Sequence, residues 1–89
     1  MVIDIDPSNA VAHNNIAMEY WDDGDMGNAI VEIRKAIESD LKNPLYHYHY
    51  AQFLLKSGDK ASAIAELKRV LELDPEFTDA REALRKLGK

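Results

Sequence analysis

The chain has no cysteine, so neither a disulfide framework nor a thiolate metal site is open to it, a composition that suits a reducing compartment. Basic residues are the minority. Eleven Lys and Arg stand against sixteen Asp and Glu, and the formal charge of -5 disfavours attraction to nucleic-acid phosphates or anionic lipid. Glycine is scarce too: the four present form no run that could cradle a phosphate. No apolar stretch approaches the roughly eighteen residues of a membrane span, and Met1-Val2-Ile3-Asp4-Ile5-Asp6 is too short and too acidic for a signal peptide. At 89 residues there is room for one domain and none for a separate catalytic one. These exclusions lead to the expectation of a cytoplasmic module that contacts neither nucleic acid nor membrane.

What the chain does have is a spacing. Gly24-Asp25, Ala29-Ile30, Glu32, Glu38 and Asp40 recur as Gly58-Asp59, Ala63-Ile64, Glu66, Glu72 and Asp74, every pair 34 residues apart. Laying residues 10–43 over residues 44–77 without a gap adds His13 over His47 and Ala17 over Ala51, making nine identities where roughly two are expected by chance. A period of this length with a Gly-Asp turn near its middle predicts stacked helical hairpins, whose usual work is to hold another protein. The division follows: residues 1–9 as the tail of a missing repeat, 10–43 and 44–77 as two repeats, and 78–89 as a capping helix. The first of these rests on Val2 to Pro7 lining up with Val70 to Pro75 two periods later, which reads as a piece of a longer array. The alternative is that Val2, Ile3 and Ile5 cover the first hairpin.

Five helices are predicted. The first runs from about Asn9 to Asp22, capped by Ser8 or Asn9, with Ala12, Ile16, Ala17 and Tyr20 on one face. Gly24 supplies positive φ to end it and Asp25 caps the next. Helix two, about Met26 to Ser39, carries Met26, Ala29, Ile30, Ile33, Ala36 and Ile37 as its stripe and turns Glu32, Arg34, Lys35 and Glu38 outward. Asn43 and Pro44 open the third, which ends at Ser57. Its Tyr46-His47-Tyr48-His49-Tyr50 alternates like a strand, but over five residues only and opposite the helical Ala12 to Ile16. The fourth, about Lys60 to Leu73, repeats the second through Ala63, Ile64, Leu67, Val70 and Leu71, and the last, about Phe77 to Leu87, shields the end of the stack.

On these residues, above all Gly24-Asp25 with Ala29 and Ala36, Gly58-Asp59 with Ala63, Asp74-Pro75, and the small Ala17 and Ala51, the chain resembles the tetratricopeptide repeat family over nearly its whole length. It departs at His13 and His47, where the family favours Trp, and at Leu54, Val70 and Leu41. The resemblance implies an all-α, right-handed stack of antiparallel hairpins, a TPR-like α-solenoid. It also implies that the first helix of each pair lines a concave groove where a peptide or helix of a protein partner lies. The groove residues would be Asn14, Met18, Trp21, Tyr48, His49, Gln52 and Leu55, flanked by Val11, Asn15, Asp22, Leu45 and Lys56 and extended by Asp79, Glu82 and Lys86. Trp21 and Tyr48 either anchor the partner or pack against the neighbouring helix. One branch of the family grips acidic chaperone tails with a Lys and Asn clamp. The matching positions here hold Asn14, Met18, His49, Asp79 and Ala83, so no affinity for such tails is expected.

Other chemistry is read as structure. His47 and His49 lie on different helix faces rather than at the i, i+4 spacing that chelates, so neither metal nor cofactor is expected. His13 and His47, one period apart, are expected to stack or hydrogen bond between repeats. Asp22-Asp23-Gly24-Asp25 lacks the alternate ligands and closing Glu of a calcium loop. No Ser sits in an elbow motif, and the carboxylates are spread as solvated helix faces, so no catalytic residue is assigned. Two repeats fall short of the about three usually needed for stability. Ala12, Ile16 and Ile33 are therefore expected to be partly uncovered at the N-terminal end, with self-association there as a possible homo-oligomer contact. Against the partner-binding reading stands a spacer that only joins other domains or protomers.

Overall fold

The computed structural model describes residues 7–88, with side chains from Asn9 onward. Five helices account for most of them: α1 (Pro7–Asp22), α2 (Met26–Ser39), α3 (Pro44–Ser57), α4 (Lys60–Leu73) and α5 (Thr78–Lys86). No strand occurs among the described residues, and Tyr46 to Tyr50 lie inside α3. Of the expected tail of a missing repeat, residues 1–6, with the apolar Val2, Ile3 and Ile5, lie outside the described residues, and residues 7–9 belong to α1.

The connections explain the hairpins. Gly24 takes φ of 81° and Gly58 φ of 93°, the left-handed region where a side chain is strained. At each turn the following Asp sends its backbone N–H back to the helix just ended, Asp25 to the Tyr20 carbonyl at 2.9 Å and Asp59 to the Leu54 carbonyl at 2.8 Å. The same two side chains then cap the next helix, Asp25 accepting from the Asn28 N–H and Asp59 from the Ser62 N–H. Between the hairpins the route differs, as the sequence implied: Asn43 accepts from the Leu45 N–H at 3.0 Å, with Pro44 at the first helical position. One start differs from expectation. Helix α1 begins at Pro7, so Ser8 and Asn9 sit inside it instead of capping it. Proline's fixed φ and missing N–H suit a first helical position.

Helix α1 packs on α2, α2 on α3, α3 on α4 and α4 on α5, each element against its neighbours in the chain. This is the expected stack of helical hairpins, and its thinnest dimension of 18 Å is that of two helix layers. Two cores fill it. The first holds Ala17, Ala29, Ile33, Ala36 and Tyr46, joined by Ala10 and Phe53. The second holds Ala51, Ala63, Leu67, Val70 and Ala80, joined by Leu54 and Leu84. Adding 34 to the first five numbers gives the second five, so the sequence period is also the period of packing. The fully buried alanines let helix axes approach closely, and Ile30 and Tyr50 pack against both cores and join them.

In its packing α1 buries Ala10 and Ala17, while Ala12 is exposed and Ile16 is 41% exposed, the uncovering expected at this end of the stack. Among the described residues α1 packs chiefly against α2, with Asn14 and Trp21 reaching α3, and the side that carries Ala12 and Ile16 stays open. Ile33, expected to be partly uncovered, is fully buried because it faces the core shared with α3.

Candidate protein-binding face

Helices α1 and α3 are tied together by side chains at the positions expected to line a groove. His49 Nδ1–H donates to Asn14 Oδ1 at 2.8 Å, and Trp21 stacks on Phe53 with ring centroids 5.0 Å apart. Tyr48 packs at 5.1 Å on Phe77, just ahead of α5, and its hydroxyl accepts from Gln52 Nε2 at 3.3 Å. Asn14, Met18, Trp21, Tyr48, His49, Gln52 and Leu55 are all half-buried. Met18 and Trp21 lean on the first core and Tyr48 and Leu55 on the second. Phe53 itself is fully buried, so Trp21 and Tyr48 do serve as inter-helix packing. Beside Ile16, the exposed large apolar side chains of these helices are Val11 (49% exposed) and its equivalent one period on, Leu45 (41% exposed). Asn15, Asp22, Lys56, Asp79, Glu82 and Lys86 are exposed around them.

Burial sets the protonation of this face. It pushes the His49 imidazole below its ordinary pKa, and it pushes the Tyr48 phenol up, with the nearby Asp79 carboxylate adding to the effect. His49 is therefore a neutral donor at pH 7. At the cap, the Arg85 guanidinium bonded to Glu82 at 2.6 Å holds that exposed carboxyl below its usual value. The face thus offers neutral amide, imidazole and phenol groups between aliphatic side chains.

His13 and His47 do something else from what their spacing suggested. Each bonds within its own repeat: His13 Nδ1–H donates to Glu32 Oε1 and His47 Nδ1–H to Glu66 Oε1, both at 2.8 Å. Each pair clasps the first helix of a hairpin to the second. Glu32 is consequently half-buried and turned toward α1, not outward, and the hydrogen bond from His13 lowers its carboxyl pKa. His47 also places Nε2 3.1 Å from the Leu41 carbonyl, in the turn before α3. Both of its partners are acceptors, so the doubly protonated ring satisfies both. The Glu66 bond first, and the Leu41 carbonyl after it, raise its pKa against the opposing effect of burial. The sequence carried the signal, since Glu32 with Glu66 and His13 with His47 are two of the nine repeated identities. Only geometry joins one set to the other.

On the opposite side of α3, a cleft of about 140 Å³ is lined by Arg34, Ile37, Glu38, His47, Tyr50 and Glu66. It holds the second clasp. Neither clasp histidine bonds a hydroxyl, and no group of three His, Cys, Asp or Glu is placed to hold a metal ion among the described residues. No helix among the described residues is long and apolar enough to cross a membrane.

Comparison with protein families gives a match to the tetratricopeptide repeat over residues 20–87, which takes in the last residues of α1 and all of α2 to α5. Comparison with curated proteins gives no match.

Proposed function

This chain belongs to the tetratricopeptide repeat family, whose repeats generally mediate protein–protein interaction, and from that premise we propose that it binds a peptide or helix of a partner protein across the face of α1, α3 and α5. The observation that carries the reading is the pair Val11 and Leu45, one period apart and exposed, beside the half-buried Met18, Gln52 and Leu55. Aliphatic side chains repeated along neighbouring first helices give a partner a row of apolar contacts at regular steps. Between them Asn14, His49 and Gln52 offer donors and acceptors to a partner's main chain, and concentrated binding energy belongs to the partly desolvated centre of such a face.

A second reading, a spacer that joins domains or protomers without a ligand of its own, is favoured by one observation: Trp21 and Tyr48 are engaged by Phe53 and Phe77. Replacing those two rings would disturb packing as well as binding, so the discriminating variant is Val11→Asp with Leu45→Asp, both at exposed positions. The tagged chain is used to capture protein from lysate. Partner binding predicts that the variant keeps the wild-type helical spectrum and loses the captured protein. Capture of the same protein by the variant would contradict it.

A further inference from the structure

One row of the α1, α3 and α5 face changes character at its third step. Val11, Leu45 and Asp79 are equivalent residues 34 apart, and all three are exposed. The first two are aliphatic and the third is a carboxylate. Trp21 on Phe53 joins α1 to α3, and Tyr48 on Phe77 joins α3 to the start of α5, so the row runs across helices that touch. A segment lying across them meets two apolar positions and then a negative charge.

That charge has no counter-ion. Asp79 stands in the first turn of α5, where the helix dipole favours a carboxylate without pairing it. The cations of the same helix are engaged elsewhere: Arg81 donates to the Pro75 carbonyl at 2.7 Å, Arg85 bonds Glu82 at 2.6 Å, and Lys86 acts on Glu82 as well. No ion pair to Asp79 occurs among the described residues. Beside it lies an aromatic surface. Tyr48, one turn after Leu45, is half-buried with its ring 5.1 Å from that of Phe77, and the Asp79 carboxylate, after burial, contributes to raising the phenol pKa. A Lys or Arg side chain matches both features, its apolar stem lying against a ring and its charge reaching a carboxylate. An acidic side chain there would be repelled by Asp79 and, at longer range, by a chain of net charge -5.

We propose, on the partner-binding reading of this face, that the bound segment carries two aliphatic side chains for Val11 and Leu45 and, at the end that reaches α5, a Lys or Arg held by Asp79 and Tyr48. Random peptides displayed on phage are selected on the tagged full chain, and the enriched peptide is synthesised with a fluorescent label for anisotropy. It is expected to contain aliphatic residues and one Lys or Arg. Asp79→Lys, at an exposed position, weakens its binding about tenfold or more with the helical spectrum unchanged, Asp79→Asn weakens it less, and exchanging the peptide's basic residue for Glu restores binding to the Asp79→Lys chain. An enriched peptide without a basic residue, equal binding by the Asp79→Lys chain, or no recovery by the Glu peptide overturns the proposal, and where Val11→Asp with Leu45→Asp still abolishes binding, the face itself stands. If the enriched peptide binds that doubly substituted chain as well as the wild type, or no peptide is enriched, the partner-binding reading fails and the proposal falls with it.

Discussion

His47 is the residue on which three parts of the chain converge: it belongs to α3, donates to Glu66 of α4 and reaches the Leu41 carbonyl in the turn between hairpins. Because the folded state holds its proton more tightly than the free chain does, its contribution is full below the ordinary histidine pKa and is lost as pH rises through the raised folded value. His49 has the opposite sign. Its burial resists protonation, so stability is lost as pH falls below the ordinary histidine value. The two separate on the pH axis. Above about pH 6.5 the urea midpoint should fall with rising pH through His47, and Glu66→Gln should flatten that limb while leaving the limb below it in place. An unchanged upper limb in Glu66→Gln would show that the clasp does not set the protonation of His47.

The helices were legible because their start and stop signals are local. Three of the five helix starts follow from Asp25, Asn43 and Asp59, and the ends of α1 and α3 from the positive-φ Gly24 and Gly58, each acting within a few residues of itself. Helix α1 is ambiguous where its neighbours matter. Its periodicity offers Ala12 and Ile16 as readily as Ala10 and Ala17, and only the packing of α1 against α2 and α3 decides which are exposed. The clasp partners were hidden for the same reason, since His13 and Glu32 are 19 residues apart and meet only when the hairpin closes. At this scale the turn glycine is the sharpest test. A Cβ on Gly58 would meet nothing within 4 Å, so Gly58→Ala costs only backbone strain, about 1–2 kcal/mol. Asp59→Ala should remove a cap worth about 1 kcal/mol. Each kcal/mol lowers Tm by about 4–8 °C in a domain of this size, and a melt followed by circular dichroism reads it. A Gly58→Ala protein with the wild-type Tm would contradict the turn assignment.

Taken whole, the molecule is two cores offset by one period and joined through Ile30 and Tyr50. Repeat proteins of this kind derive their cooperativity from the contacts between units. Tyr50→Ala should therefore do more than remove buried area: it should uncouple the hairpins, giving a shallower denaturant transition with a lower m-value than the wild type. A parallel shift of the midpoint at constant m would mean that the cores remain coupled without it.

The shared face of α1 and α3 was legible in the sequence, but its contacts were not. Position along α1 and α3 is enough to bring Asn14, Met18, Gln52 and Leu55 to one side, whereas the engagement of Trp21 by Phe53 and of Tyr48 by Phe77 depends on how the hairpins lean together. Which side of the stack meets a partner is decided most directly by photo-crosslinking in lysate, with the reactive group placed at Gln52 on the first-helix face or at Lys35 on the outer side of α2. Partner binding across the first helices predicts a discrete crosslinked protein from position 52 and none from position 35. The same product from position 35, or none from position 52 while the chain still captures protein, would contradict it.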